Sequence, residues 1–333
     1  MCNIFRCFGC LTLMGLRNRL CSYLVYFPPK PMYEIETKQE ENGETSQTMW
    51  LISEEGKKCE PYKSPNLKME FVQTRRKQRL ACLRINYEGA KTVILFAHGN
   101  ATDLGAMRDH LIDMSINMKV NVYAYDYSGY GLSSGKPNPA NTFADADAVY
   151  QNLVNKYNDE HIILYGQSLG SGPSLYLGKK YKDLISGIVI HSGLMSGLAV
   201  LKPIEKSFWF DIYKNAENVK QCVAPLYVIH GTEDVEIPIN HGIALAENSP
   251  NCYPPWFVEG AEHNNIEVFW RRPFFQRLND FIRAVENGVA SQGQSGADLG
   301  LQLPHSAASK YGEAIMNPLG QNYAPDVHSP SIQ

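Results

Sequence analysis

The chain has 333 residues, 44% of them apolar, enough for one large domain with tails or for two smaller ones. Its 31 Lys and Arg against 34 Asp and Glu leave a net charge of −3, which gives no reason to expect nucleic-acid binding and suits a small substrate or a local membrane contact better. Eight cysteines, four crowded into the first 21 residues and four scattered without pairing spacing, exclude a secreted disulfide framework, and no run reaches the ~18 apolar residues of a spanning helix.

Residues 1–30 carry Cys2, Cys7, Cys10 and Cys21 among Phe5, Phe8 and a series of leucines, with Arg6, Arg17, Arg19 and Lys30 and no acidic side chain. Apolar groups, basic charge and free thiols together predict an interfacial segment that is S-acylated, and two or more acyl chains, or one with basic residues, are needed for stable attachment. The C-x4-C-x2-C spacing of Cys2, Cys7 and Cys10 also fits an iron–sulfur loop, but no partner fold follows it. Arg6 interrupts the apolar run and no small-residue cleavage site follows, so the segment is read as an anchor on the cytosolic side and not as a secretory signal. Residues 31–66, punctuated by prolines and carrying the acidic, polar run from Glu34 to Gln47, read as linker.

A domain is expected over 67–286. Met69–Thr74 and Leu80–Ile85 form a hairpin whose basic turn, Arg75–Arg79, is a solvated loop or a secondary contact for anionic lipid. Thr92–Ala97 is an interior parallel strand running into His98, Gly99, Asn100, Ala101, Thr102 and Asp103, with His98 read as structural and Asp103 as a helix cap. Asn121–Tyr125 is the next strand. Asp126, after it, is a rival acid for catalysis, but its place before the nucleophile favours a structural hydrogen-bonding role. A helix over Phe143–Tyr157 follows.

Ile162–Tyr165 is a buried strand ending in Gly166, Gln167, Ser168, Leu169, Gly170, and Ser174–Tyr181 continues as a helix. This G-x-S-x-G turn between strand and helix is the nucleophile elbow, whose glycines leave room for a strained backbone that lifts the Ser168 hydroxyl clear of the sheet. In this architecture the loop after the Thr92–Ala97 strand supplies one backbone N–H of an oxyanion hole and the residue after the nucleophile the other, which points to Asn100 and Leu169. Gly187–His191 is a strand. The stretch 193–222, about thirty residues, is too short for a large lid, and its Phe208, Trp209 and Phe210 either line an acyl groove, touch lipid or pack into the core.

Pro225–Ile229 is a strand followed by Glu233 and Asp234, and Trp256–Val258 a last strand followed by His263. An acid placed after the first of these can accept the Nδ1 proton of a histidine placed after the second. Asp234 is favoured, with Glu233 as the adjacent alternative. Ser168, Asp234 and His263 then follow the order nucleophile, acid, base, which predicts a serine hydrolase of the α/β-hydrolase fold: a mostly parallel eight-stranded sheet with helices on both faces and no large lid domain. Ile266–Val285 closes it as a helix. Gly, Pro, Ser, Gln and Asn make up 24 of the 47 residues from 287 to 333, a composition unable to build a core, so this tail is expected to be disordered.

The segments YFPPKPMY, FAHGNATDLGAM, YDYSGYG, LYGQSLG, IHGTEDVEI and VEGAEHNNIE, with the cysteine-rich start, make the chain over residues 1–285 resemble the alpha/beta-hydrolase-domain-containing protein 17 family. That resemblance implies a membrane-attached palmitoyl-protein thioesterase with Ser168 as nucleophile, Asp234 and His263 as its partners, and no metal or cofactor. It further implies palmitoylation of the terminal cysteines, which directs the protein to the cytoplasmic face of plasma and endosomal membranes, and substrates that are S-palmitoylated membrane proteins. A monomer is expected. The same residues would serve a lipase or carboxylesterase acting on a lipid ester, and a non-catalytic scaffold on the same fold is the rival of a different class.

Overall fold

Residues 25–41, 43–157, 160–197, 200 and 211–288 are described by the computed structural model. The four N-terminal cysteines, Phe208–Phe210 and the tail from residue 289 lie outside the described residues. In chain order the strands are β1 (Tyr33–Gln39), β2 (Thr45–Ile52), β3 (Lys58–Lys63), β4 (Leu67–Gln73), β5 (Arg79–Ile85), β6 (Thr92–Ala97), β7 (Asn121–Tyr125), β8 (His161–Gln167), β9 (Gly187–His191), β10 (Leu226–Gly231) and β11 (Trp256–Val258). The helices are α1 (Leu104–Met118), α2 (Pro139–Val154), α3 (Ser171–Lys180), α4 (Asn215–Asn218), α5 (Asn240–Glu247), α6 (Ile266–Phe269) and α7 (Arg271–Glu286).

Eight strands form one sheet in the order β11-β10-β9-β8-β6-β7-β5-β4. All neighbours from β11 to β7 are parallel, while β5 runs antiparallel to both β7 and β4. This is the mostly parallel sheet expected. Its strands read as unbroken apolar runs because both faces are covered, and the two-residue period sorts alternate side chains onto opposite faces. Val93, Leu95, Ile162, Leu164, Ile188, Ile190 and Val228 meet α2 and α3 through Val149, Tyr150, Leu175 and Leu177. Ile94, Phe96, Ile163, Tyr165, Val189 and Ile229 meet α1 and α7 through Leu111, Met114, Phe274, Leu278 and Phe281.

The stretch 31–66 is a correction to the sequence reading. It forms a three-stranded antiparallel sheet, β1-β2-β3, with Tyr33 opposite Leu51 and Gln39 opposite Thr45, and not a linker. One face turns Tyr33, Met49, Ile35 and Leu51 toward the core beside α1, and buried Arg108 of α1 donates to the Glu60 carbonyl at 2.6 Å. The other residues carry surface ion pairs such as Lys58–Glu34 at 2.9 Å and Lys63–Glu40 at 2.6 Å. A small sheet in which β1 alternates Glu34, Glu36 and Lys38 with its inward residues, β2 opens on polar residues and β3 carries Lys58, Glu60 and Lys63 has the composition of a linker, which is why it reads as one.

Tyr33 ties this sheet to the domain: fully buried, it donates to Asp126 Oδ2 at 2.6 Å. Tyr33→Phe leaves that buried carboxylate short of a donor, and it should cost about 1–3 kcal/mol. Urea unfolding measures this, and an unchanged midpoint would mean the sheet is not docked through Asp126.

The closing helix expected from Ile266 to Val285 is divided at Trp270 into α6 and α7. Pro273 has no N–H to give to the carbonyl four residues back and is tolerated only within a first turn, so a new helix starts at Arg271. Its core face repeats at Phe274, Leu278, Phe281, Ile282 and Val285.

Candidate active site

Ser168 opens a single 3-10 turn, Ser168–Gly170, between β8 and α3, with φ of 49°. A left-handed serine is strained, and the turn is possible because Gly166 and Gly170, two residues to either side, have no side chains. A Cβ on Gly166 would lie 2.6 Å from the Gly170 carbonyl oxygen, and one on Gly170 would lie 1.9 Å from that of Ala97. The elbow therefore packs backbone to backbone against the end of β6.

Asp234 and His263 stand on the loops after β10 and β11. His263 Nε2 is 3.0 Å from Ser168 Oγ, and His263 Nδ1 is 2.6 Å from Asp234 Oδ2. The other carboxylate oxygen, Oδ1, accepts from the N–H groups of Glu236 at 3.0 Å and Ile237 at 2.8 Å, which aims the acid at the histidine. With Nδ1–H given to Asp234, the bare lone pair of Nε2 faces the hydroxyl. Ser168 is half-buried, whereas Asp234 and His263 are buried. Asp234 holds the place next to the histidine, and Glu233 does not.

Burial alone would raise the Asp234 carboxyl, but hydrogen bonds from His230 and His263 outweigh it and hold the group well below the usual carboxylate range. Burial likewise disfavours a charged His263, yet the bond and charge of Asp234, with Glu236 and Glu267 behind it, raise its pKa above the ordinary value. Nearby His191 and His241 are pushed down by burial to about 3 and about 4, so both stay neutral near pH 7.

His263 is thus the imidazole poised to titrate, and it can take a proton only when neutral. Because its pKa is raised, kcat/KM for a p-nitrophenyl ester should climb through a limb centred above ~6.5 and be lower at pH 6 than at pH 8. Asp234→Asn, which removes the partner that raises it, should move the limb to lower pH. A wild-type limb centred below ~6.5 would contradict the arrangement.

The loop after β6 lies against the nucleophile: a Cβ on Gly99 would stand 3.7 Å from Ser168 Cβ, and Asn100 is the next residue of that loop. Leu169, immediately after Ser168, is buried in the same turn. His98 and Asp126 have the structural roles read from sequence. His98 Nδ1 donates to the Gly99 carbonyl at 2.7 Å, and Asp126 accepts from Tyr33 and from Leu104 N–H at 3.0 Å, with His98 Nε2 3.4 Å away. Asp103 caps α1, accepting from Gly105 and Ala106 N–H.

Sequence reasoning missed His230. It is the next-to-last residue of β10, gives Nε2–H to the Ile237 carbonyl at 2.7 Å and lies 3.3 Å from Asp234 Oδ2, the same oxygen that His263 contacts. The signal in the sequence is a histidine at the close of a strand, four residues before the acid.

The sequence profile of the family described as alpha/beta hydrolase fold matches residues 92–206. Among solved structures, the Pyrococcus furiosus esterase Pf2001 is similar with a TM-score of 0.55 at 19% identity, over 65% of this chain and 90% of that one. Est1E from Butyrivibrio proteoclasticus, with ferulic acid bound, has a TM-score of 0.55 at 14% identity, over 66% and 99%. At these identities the likeness is one of fold. Alpha/beta hydrolase domain-containing protein 17C of Xenopus tropicalis is 34% identical, covering 85% of this chain and 93% of that one, and 17B of the same organism is 35% identical over 85% and 95%. Human 17C is 41% identical over 64% of each chain. With its elbow serine, its sheet order and this likeness along most of both chains, the protein is a hydrolase belonging to the alpha/beta hydrolase domain-containing protein 17 family.

Proposed function

We propose that the chain is a membrane-attached serine hydrolase that removes palmitate from S-palmitoylated cysteines of membrane proteins. The observation that carries the reading is the line Ser168 Oγ, His263 Nε2, His263 Nδ1, Asp234 Oδ2, with separations of 3.0 and 2.6 Å at its two hydrogen bonds. His263 takes the Ser168 proton as Oγ attacks the thioester carbonyl. Asp234 stabilises the imidazolium, and the backbone N–H groups of Asn100 and Leu169 receive the oxyanion. The cysteine leaves as a thiolate that needs little protonation help, its thiol pKa being near ~8.5, and the proton held by His263 passes to that sulfur or to solvent, which leaves the imidazole neutral again. Water deprotonated by His263 then attacks the serine ester, releasing palmitate and restoring Ser168. No step calls on a metal or cofactor.

The anchor belongs to the same proposal. Acyl groups on Cys2, Cys7, Cys10 and Cys21 hold the protein at the cytoplasmic face of plasma and endosomal membranes, where its substrates lie, and it acts there as a monomer. Among the described residues no helix is long and apolar enough to cross a membrane. Replacing all four cysteines by serine should move the protein from the membrane to the soluble fraction, and unchanged partitioning would refute the anchor. Incubating the purified chain with an S-palmitoylated peptide and with a monoacylglycerol tests the substrate: release from the peptide supports the thioesterase, whereas activity on the glycerol ester alone makes it a lipase with the same triad.

A further inference from the structure

Asn100 follows Gly99, which lies against Ser168, and its side chain is a junction. The amide oxygen accepts from Phe27 N–H at 3.0 Å, from the Tyr130 hydroxyl at 2.7 Å and from Ala101 N–H at 3.0 Å, while the amide nitrogen donates to the Val25 carbonyl at 2.6 Å. Phe27 and Ala101 can only donate and the Val25 carbonyl can only accept, so the partners fix which way the amide points. The bonds therefore gather three separate pieces of chain, residues 25–27, the loop after β6 and the loop after β7, around one side chain.

The segment 25–33 is a strap laid across those loops. Tyr26 is buried, sharing a hydrogen bond with the Tyr213 hydroxyl at 2.6 Å and accepting from Thr142 at 3.2 Å. Met32 N–H bonds to Asp103 Oδ2 at 2.7 Å. Ala101 needs such support, because its φ of 53° is one that a residue with a Cβ adopts only at a cost of about 1–2 kcal/mol. Once the Asn100 side chain is gone, the peptides on either side of it are free to relax.

We infer that the Asn100 side chain is a positioning residue for the hydrolysis: by clamping the 25–27 strap and Tyr130, it holds its own backbone N–H where the developing oxyanion will be. The strap is thereby a working part of the site, although it lies more than 60 residues before the first residue of the loop it braces. This inference rests on the serine-hydrolase reading above. An oxyanion donor acts only within a few tenths of an ångström of its place and only on the transition state, so its displacement shows in kcat and not in KM.

The test compares full-length wild type, Asn100→Ala, Tyr130→Phe and the double variant on a p-nitrophenyl acyl ester. Rates are divided by the sites titrated to completion with a fluorophosphonate, so that unfolded molecules do not count. Asn100→Ala should lower kcat on the order of 10- to 100-fold with KM within about twofold. Tyr130→Phe should lower it by about threefold, and the double variant should be no worse than Asn100→Ala, because the hydroxyl has already lost its acceptor. A kcat within about threefold of wild type, a loss carried by KM, or single losses that multiply in the double variant would each overturn the inference. Labelling that survives Ser168→Ala sinks the serine-hydrolase reading and this inference together. Labelling lost there, with Asn100→Ala turning over normally, sinks the inference alone.

Discussion

Ser168→Ala should abolish turnover of thioester and oxygen ester alike, by about a millionfold in kcat, with little change in substrate affinity. His263→Ala should cost about as much, and the two together no more, because nucleophile and base work as a unit. Asp234→Asn should cost about 10,000-fold: the geometry survives, but an amide cannot hold the Nδ1–H tautomer that leaves Nε2 free for the 3.0 Å contact with Ser168 Oγ. Fluorophosphonate labelling and single-turnover release from an S-palmitoylated peptide measure all three. A Ser168→Ala protein that keeps more than about a hundredth of wild-type activity would remove the nucleophile assignment, since the remaining binding and oxyanion groups account for far less than that.

Gly170→Ala is expected to have the largest effect on stability. The added carbon would sit 1.9 Å from the Ala97 carbonyl oxygen, 2.6 Å from its carbonyl carbon and 3.0 Å from the His98 oxygen. These are backbone atoms at the end of β6, which is paired to β7 on one side and β8 on the other, so relief requires moving a central strand. A loss of more than about 4 kcal/mol follows, enough to leave much of the chain unfolded. Gly99→Ala is the control: its nearest neighbour is Ser168 Cβ at 3.7 Å, an ordinary contact, and the cost should stay within about 1 kcal/mol. Urea denaturation of the two variants checks the difference, and equal midpoints would mean that the elbow does not press on β6 as described.

Much of this was legible before any coordinates. Buried parallel strands leave unbroken apolar runs such as Thr92–Ala97 and Ile162–Tyr165, and each chemically distinctive residue comes just after such a run: Ser168 after β8, Asp234 after β10, His263 after β11. What was not legible has physical causes. The β1–β3 sheet hid because it buries one face only, through residues such as Tyr33 and Met49 set among polar and charged neighbours. The break at Trp270 was overlooked because the apolar period runs through it while Pro273 acts on the hydrogen bonds. The roles of His230 and the Asn100 side chain depend on partners brought near by the fold, among them Phe27 and Tyr130, and no local pattern announces those.

In the sheet order, β9 stands between the strand that delivers the nucleophile and the strand that delivers the acid, yet the chain leaving β9 delivers none of the three. Parallel strands expose their exits along one rim, and the chain leaving β9 takes part there through a bond from the Ser192 hydroxyl to the His263 carbonyl at 3.3 Å. Substitutions beyond Ser192 on that connection therefore leave untouched the strands that carry Ser168, Asp234 and His263, so the approach to the site and its chemistry can change independently.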